Sequence, residues 1–138
     1  MASPARSHTL PVNEITGAIV NSAMKVHSVL GPGLLESAYQ VCLAHELRNR
    51  AFEVATEVAL PVVYEGKKLE VGYRIDLVVE RRVVVEVKSV EAIQPIHQAQ
   101  FLSYMRLSGI RVGLLINFNA LRLRDGIKRM VDGTEWMK

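Results

Sequence analysis

The sequence predicts a mixed α/β domain with one central sheet flanked by helices. Apolar residues recur at helical spacing from Val12 to about Arg50, and the period then switches to strand-like alternation between Glu57 and Lys88. A third helical segment opens on Pro95 and leads into the continuously apolar run from Val112 to Phe118. Helices, three strands, helix, strand is the element order of a layered α/β domain. At 138 residues the chain fits one domain, expected over 12–138, behind a flexible tail at 1–11 that is small, polar and proline-bearing.

Each element has a local reason. Ile15, Ile19, Ala23, Val26 and Leu30 define the first helix, which Gly31-Pro32 stops. A second helix is expected from about Leu34 to Arg50, with Leu35, Ala38, Tyr39, Cys42, Leu43 and Leu47 on its buried stripe. Strands are expected over Glu57–Tyr64, Lys68–Val79 and Val83–Lys88, joined by a turn at Glu65-Gly66 and a short loop, as an antiparallel meander. The third helix fits Pro95 to Leu107, with proline in its first turn and Gly109 just past its end. Val112 to Phe118 is too evenly apolar for a one-sided strand and suits one buried on both faces. Leu121–Arg124 and Gly126–Val131 complete the chain as a short strand or a turn of helix.

Composition narrows the function classes. Hydrophobic residues at 49% and charged residues at 22% exclude a disordered chain. The single cysteine, Cys42, cannot form an internal disulfide, and it reads as a buried structural thiol in a reducing compartment. The opening MASPARSHTLP has no apolar core of signal-peptide length and no later stretch approaches the length of a membrane span, so the expected location is the cytoplasm, without a membrane partner. Net charge is +3, and from Phe101 to Lys138 seven Lys or Arg stand against three acids, so the basic character is C-terminal. That balance permits a nucleic-acid partner.

The chemistry is concentrated in Arg74 to Ser89, RIDLVVERRVVVEVKS. Asp76, Glu86 and Lys88 sit within apolar strands, where a charge carries a desolvation cost and needs a partner or a task. Alternation puts Glu86 and Lys88 on one face. If the loop is the three residues Glu80-Arg81-Arg82, Asp76 falls opposite Glu86, with β-carbons roughly 5 Å apart. Two carboxylates that close repel unless a cation lies between them, and hard carboxylate oxygens suit Mg²⁺. The competing structural reading is a salt-bridge ladder in which Asp76 and Glu86 pair with Arg74 and Lys88. Among other polar residues, His27 reads as a packed or capping histidine, His97 lies one turn before Gln100, and Glu57 and Glu70 read as solvent-facing.

Gly33-Leu34-Leu35-Glu36-Ser37-Ala38-Tyr39 spells GxxExxY. On this motif the chain resembles the GxxExxY proteins of the PD-(D/E)XK nuclease superfamily. The resemblance runs from about Asn13 to Val131 and takes in LGPGLLESAY, the block from Asp76 to Lys88, QAQFLSYMRLSG and NFNALRLRDGIKRMV. It implies a restriction-endonuclease-like core. Asp76 is similar to the first invariant acid of the superfamily and Glu86-Val87-Lys88 to its (D/E)xK element, although Ile75 stands where many members carry proline. Glu36 resembles the helical acid that many members add to the metal site, and Gln100 with Tyr104 fits the QxxxY pattern of RecB-like members. The implied metal ligands are Glu36, Asp76 and Glu86, with Mg²⁺ as cofactor and Mn²⁺ as its substitute, and the implied catalytic set is Asp76, Glu86, Lys88, Gln100 and Tyr104. The implied activity is metal-dependent hydrolysis of nucleic acid, DNA above all. The alternative is a non-catalytic module that keeps the fold to bind nucleic acid or protein. A homodimer is compatible with both.

Overall fold

The computed structural model describes residues 10–132. Met1 to Thr9 of the expected tail, and Glu135 and Lys138 of the basic C-terminal stretch, lie outside the described residues. Leu10, read from sequence as tail, packs against the core, and its carbonyl accepts a hydrogen bond from Arg82 Nη1. The helices α1 (Val12–Leu30) and α2 (Glu36–Asn49) form the opening hairpin. Ile15, Ile19, Ala23 and Val26 of α1 are buried, as are Tyr39, Leu43, Ala44 and Leu47 of α2. Four stripe residues differ from expectation, among them Ala38, which is only half-buried. Leu35 is 77% exposed, because α2 begins only at Glu36 and leaves Leu35 in extended backbone at its N-cap. Leu30, in the last turn of α1, is also exposed, and Cys42 is a half-buried free thiol packed against the core from outside.

The strands are β1 (Val54–Ala59), β2 (Val62–Tyr64), β3 (Lys67–Leu69), β4 (Arg74–Val79), β5 (Val83–Lys88), β6 (Val112–Asn117) and β7 (Ile127–Val131), with α3 (Pro95–Ser108) between β5 and β6 and a 3₁₀ turn (Leu123–Gly126) before β7. Five strands form a mixed sheet in the order β1-β4-β5-β6-β7, parallel only between β5 and β6. The expected three-strand meander is interrupted. Its first two strands are each cut in two, and β2 and β3 form a separate two-stranded sheet inserted between β1 and β4. Pro61 has no N–H for a ladder and Gly72 turns the chain at φ 85°, so neither long strand continues.

The sheet is covered on both faces. Val83, Val85 and Val87 of β5 pack with α1 and α2, whereas Val84 packs with Phe101, Tyr104 and Met105 of α3. Strand β6 lies between β5 and β7, with Gly113 through Asn117 buried. The α3 layer sits so close that a Cβ on Gly113 would stand 2.6 Å from Phe101 Cζ and 2.9 Å from Val84 Cγ2. Gly113→Ala should therefore destabilise the fold by about 1–3 kcal/mol, the usual cost of overpacking. Urea unfolding followed by circular dichroism should show a lower midpoint at unchanged slope; an unchanged midpoint would contradict the packing of Phe101 on this strand.

Candidate active site

The site is built at the end of β5. Val79 pairs with Val83, Val78 with Val84 and Leu77 with Val85, so the loop is the three residues Glu80-Arg81-Arg82, and the next register position sets Asp76 against Glu86. There the ladder gives way, because Asp76 Oδ2 accepts the Val87 N–H at 2.8 Å. Glu86 and Lys88 alternate with the odd-numbered valines and so project to the α3 side. Lys88 Nζ lies 3.8 Å from Glu86 Oε2, with the two side chains 15% and 12% exposed. Glu86 Oε1 is buried and has no hydrogen-bond partner among the described residues.

The electrostatics follow from that burial. Desolvation raises the Asp76 carboxyl, against the lowering effect of the Val87 N–H and of the Glu86 side chain. Glu86 is pushed up from an ordinary 4.5 to about 8, first by desolvation and next by the Asp76 charge, while Lys88 pulls in the opposite direction. The lysine therefore only partly compensates the pair, contrary to a closed salt-bridge ladder. Arg74 makes no ion pair among the described residues.

Glu36 stands apart from the pair. It opens α2, its Oε2 accepts the Ser89 N–H at a long 3.4 Å, and its charge pushes both Asp76 and Glu86 upward. Among the described residues no three His, Cys, Asp or Glu groups are gathered closely enough to hold a metal ion. The expected triad is thus a pair, half-buried Asp76 and buried Glu86, with a third, exposed carboxylate tethered beside it; three anions have no electrostatic reason to converge by themselves. The pair nevertheless fits a hard divalent cation, since it offers oxygen donors and an unpartnered Glu86 Oε1.

The local sequence explains where Glu36 is held. Gly33 adopts φ 101°, a conformation that L side chains rarely take. Three residues into α2 from Glu36, the Tyr39 hydroxyl donates to Gly31 O at 2.6 Å and accepts the Leu34 N–H at 3.0 Å, while its ring stacks on Phe118 at 4.6 Å. Ser89 Oγ donates to Leu34 O at 2.6 Å and ties this loop to the end of β5. The spacing of the motif is therefore mechanical: glycine makes the turn, glutamate starts the helix and tyrosine fastens the loop.

Gln100 and Tyr104 share a face of α3 and bond to each other, Gln100 Nε2 donating to Tyr104 Oη at 2.9 Å. Burial raises the phenol above its usual range, and the charges of Glu86 and Asp76 add to the rise. The phenol therefore keeps its proton.

Two contributors escaped the sequence reading. Glu57 is exposed, as expected, yet the β1–β4 register sets it across from Asp76, and its charge raises that carboxyl. It takes φ 51° there, and its Oε1 accepts from Gln40 Nε2 at 3.2 Å. Buried Asn117 pairs in register with Lys88; its Oδ1 accepts the Val90 N–H and its Nδ2 donates to Val90 O, fixing the chain where it leaves β5. Only strand pairing reveals either role. The histidines have other work: His27 Nε2 hydrogen-bonds Ala120 O at 2.7 Å, and His97 Nδ1 accepts the Gln94 N–H in the box that caps α3.

The raised carboxyls link stability to pH. An unfolded chain releases the Glu86 proton near 4.5 and the folded chain near 8. Between those values the folded state holds more protons, so stability falls as pH rises. The melting temperature of metal-free protein should therefore decline between about pH 5 and about pH 9, and Glu86→Gln should flatten that decline. Parallel curves for the two proteins would contradict the assigned proton.

A family model of the PD-(D/E)XK nuclease superfamily matches residues 13–130. No curated protein and no solved structure matches the chain. The matched span includes every strand but the last residue of β7, and the mixed five-stranded sheet flanked by helices agrees with the restriction-endonuclease-like fold of that superfamily. With residues 13–130 matched and the mixed five-stranded sheet in place, the chain belongs to the PD-(D/E)XK nuclease superfamily.

Proposed function

We propose that this protein hydrolyses phosphodiester bonds of nucleic acid, DNA above all, with Mg²⁺ or substituting Mn²⁺, as one domain over 12–138 and as a cytoplasmic member of the GxxExxY group. The observation that carries the reading is the adjacent pair of half-buried Asp76 and buried Glu86, which desolvation and mutual charge keep from ionising together, with an unpartnered Glu86 Oε1 and a neighbouring lysine. Among the described residues no helix is long and apolar enough to cross a membrane.

Asp76 and Glu86 would hold the ion, and Glu36, released from its long Ser89 contact, would complete the set. A divalent cation supplies Lewis-acid stabilisation of charge on the phosphate. Lys88 offers a preorganised ammonium where negative charge develops, in a site dry enough for that charge to count. Tyr104, whose hydroxyl accepts from Gln100 Nε2, would be free to donate its own proton at the same rim. Arg122 and Arg124, in and beside the turn that follows β6, are exposed and make no ion pair among the described residues, as backbone-contacting cations would require. Arg106 is instead paired with Asp132 and Arg129 is bonded to Asn13, so the basic C-terminal stretch is only partly free for phosphate.

Binding and chemistry should separate at Lys88. An ammonium is no ligand for a cation, so Lys88→Ala should keep Mn²⁺ affinity in titration calorimetry while cleavage of labelled DNA falls by about 10²–10³. Asp76→Asn and Glu86→Gln should lose ion binding as well. Cleavage by Lys88→Ala at the wild-type rate would overturn the role of the lysine. Binding of DNA that ignores chelator, with no cleavage in either metal, would assign the fold to a non-catalytic module.

A further inference from the structure

Residues 63–74 are exposed without a break. They include β3 and most of β2, the two-stranded sheet that stands outside the main one, inserted between β1 and β4. Such an arm would be expected to be polar. Instead Val63, Tyr64, Leu69, Val71 and Tyr73 face solvent, Tyr64 at 64% and Tyr73 at 44%. Apolar surface gathered on one small exposed element marks an interaction site.

The apolar groups are interleaved with cations. Tyr64 pairs across the hairpin with Lys67, and Val63 with Lys68, so a lysine faces an apolar partner on each side of the arm. Lys67, Lys68 and Arg74 make no ion pair among the described residues. Glu65 and Glu70 reduce the net charge of the arm to +1, which leaves attraction for a polyanion local to the lysine positions.

The root of the arm reaches the candidate site. Tyr73 O accepts the Leu60 N–H at 2.8 Å, and the Tyr73 ring lies 5.6 Å from that of Tyr104, tilted by 43°. Tyr104 in turn lies within the electrostatic reach of Glu86 and Asp76. Arg74 opens β4 two residues before Asp76 and is exposed. Aromatic rings, free cations and the carboxylate pair therefore run in sequence from the tip of the arm to the site.

We infer that the β2–β3 arm is a stacking and charge-guiding platform for an unpaired nucleic-acid strand, with Tyr73 receiving the base beside the scissile phosphate. The inference deepens the nuclease reading and rests on it for the polarity of the path. Unpaired strands are favoured because a base inside a duplex shows no free face for a tyrosine ring to cover, whereas a single strand presents one at every residue. Lys67, Lys68 and Arg74 supply sequence-independent phosphate contacts.

The test uses the full chain and fluorescence anisotropy of a labelled 20-nucleotide single-stranded DNA and of the matching blunt duplex, in Ca²⁺ and in chelator. Wild type should bind the single strand more tightly. Tyr73→Ala and Tyr64→Ala should each weaken single-strand binding by about tenfold or more while Tyr73→Phe retains it, because the face of the ring and not the hydroxyl makes the contact. Replacing both Lys67 and Lys68 by Ala should lower the slope of log affinity against log salt by about 1.4. Tyr64 is far enough from the core that its variant should melt with wild type, which separates lost contact from lost fold. Equal affinity for single strand and duplex, or single-strand affinity unmoved in both tyrosine variants, would overturn the inference. Sedimentation showing a dimer that the tyrosine variants dissociate, with single-strand binding unmoved, would likewise overturn it and assign the arm to self-association. Single-strand binding lost in the tyrosine variants of a protein that never cleaves would keep the arm and reject the nuclease reading, so the two failures are distinguishable.

Discussion

The opposition of Asp76 and Glu86 depends on the three residues Glu80, Arg81 and Arg82, because the length of that loop sets which side chains of β4 and β5 share a face. Glu80 and Arg81 both take positive φ, at 53° and 57°, a backbone region that disfavours non-glycine residues. The loop holds it because Glu80 is fastened twice to one residue. Its N–H donates to Glu53 O at 2.8 Å, and its buried carboxylate accepts the Glu53 N–H. A loop one residue shorter would set Val87 against Asp76 and leave Glu86 without a neighbouring carboxylate. Local strain at 80–81 and electrostatic strain at 76 and 86 are thus two ends of one hairpin.

The two covering layers contribute differently to what that hairpin exposes. The layer of α1 and α2 reaches the end of β5 only through the loop before α2, where Tyr39 and Ser89 hold Glu36 beside the carboxylate pair. The α3 layer lies over the functional face itself, bringing Tyr104 and, through it, the exposed arm. Asn117 secures the strand end between them. The carboxylate pair is accordingly fixed within the sheet, while the third acid and the arm are exposed to solvent.

The hairpin was legible in the sequence because period-two alternation places Asp76, Glu86 and Lys88 on definite faces, and a three-residue loop was the reading that paired the acids. The helices were legible for the same kind of reason, with Gly31-Pro32 and Gly109 punctuating them. The expected strands across 57–79 failed where alternation persisted through Pro61 and Gly72, which ended the ladders whatever the side-chain pattern. Leu35 read as core because apolar spacing does not reveal where a helix begins. Glu57 and Asn117 carried no local signal, since their roles come from partners 19 and 29 residues away in sequence, Asp76 and Lys88. The GxxExxY spacing pointed to Glu36 but not to the fastening role of Tyr39, which needs the loop in three dimensions.

On the proposed reading, a buried proton keeps the Asp76–Glu86 pair together and a cation would take its place. Titration calorimetry of Mn²⁺ binding near pH 7, in two buffers of different ionisation enthalpy, tests this directly. Release of about one proton per ion should make the observed heat depend on the buffer. Burial and the Asp76 charge push the Glu86 carboxyl up to about 8, so that dependence should fade once the pH lies well above it. Heats identical in both buffers near pH 7, with Mn²⁺ bound, would contradict the account.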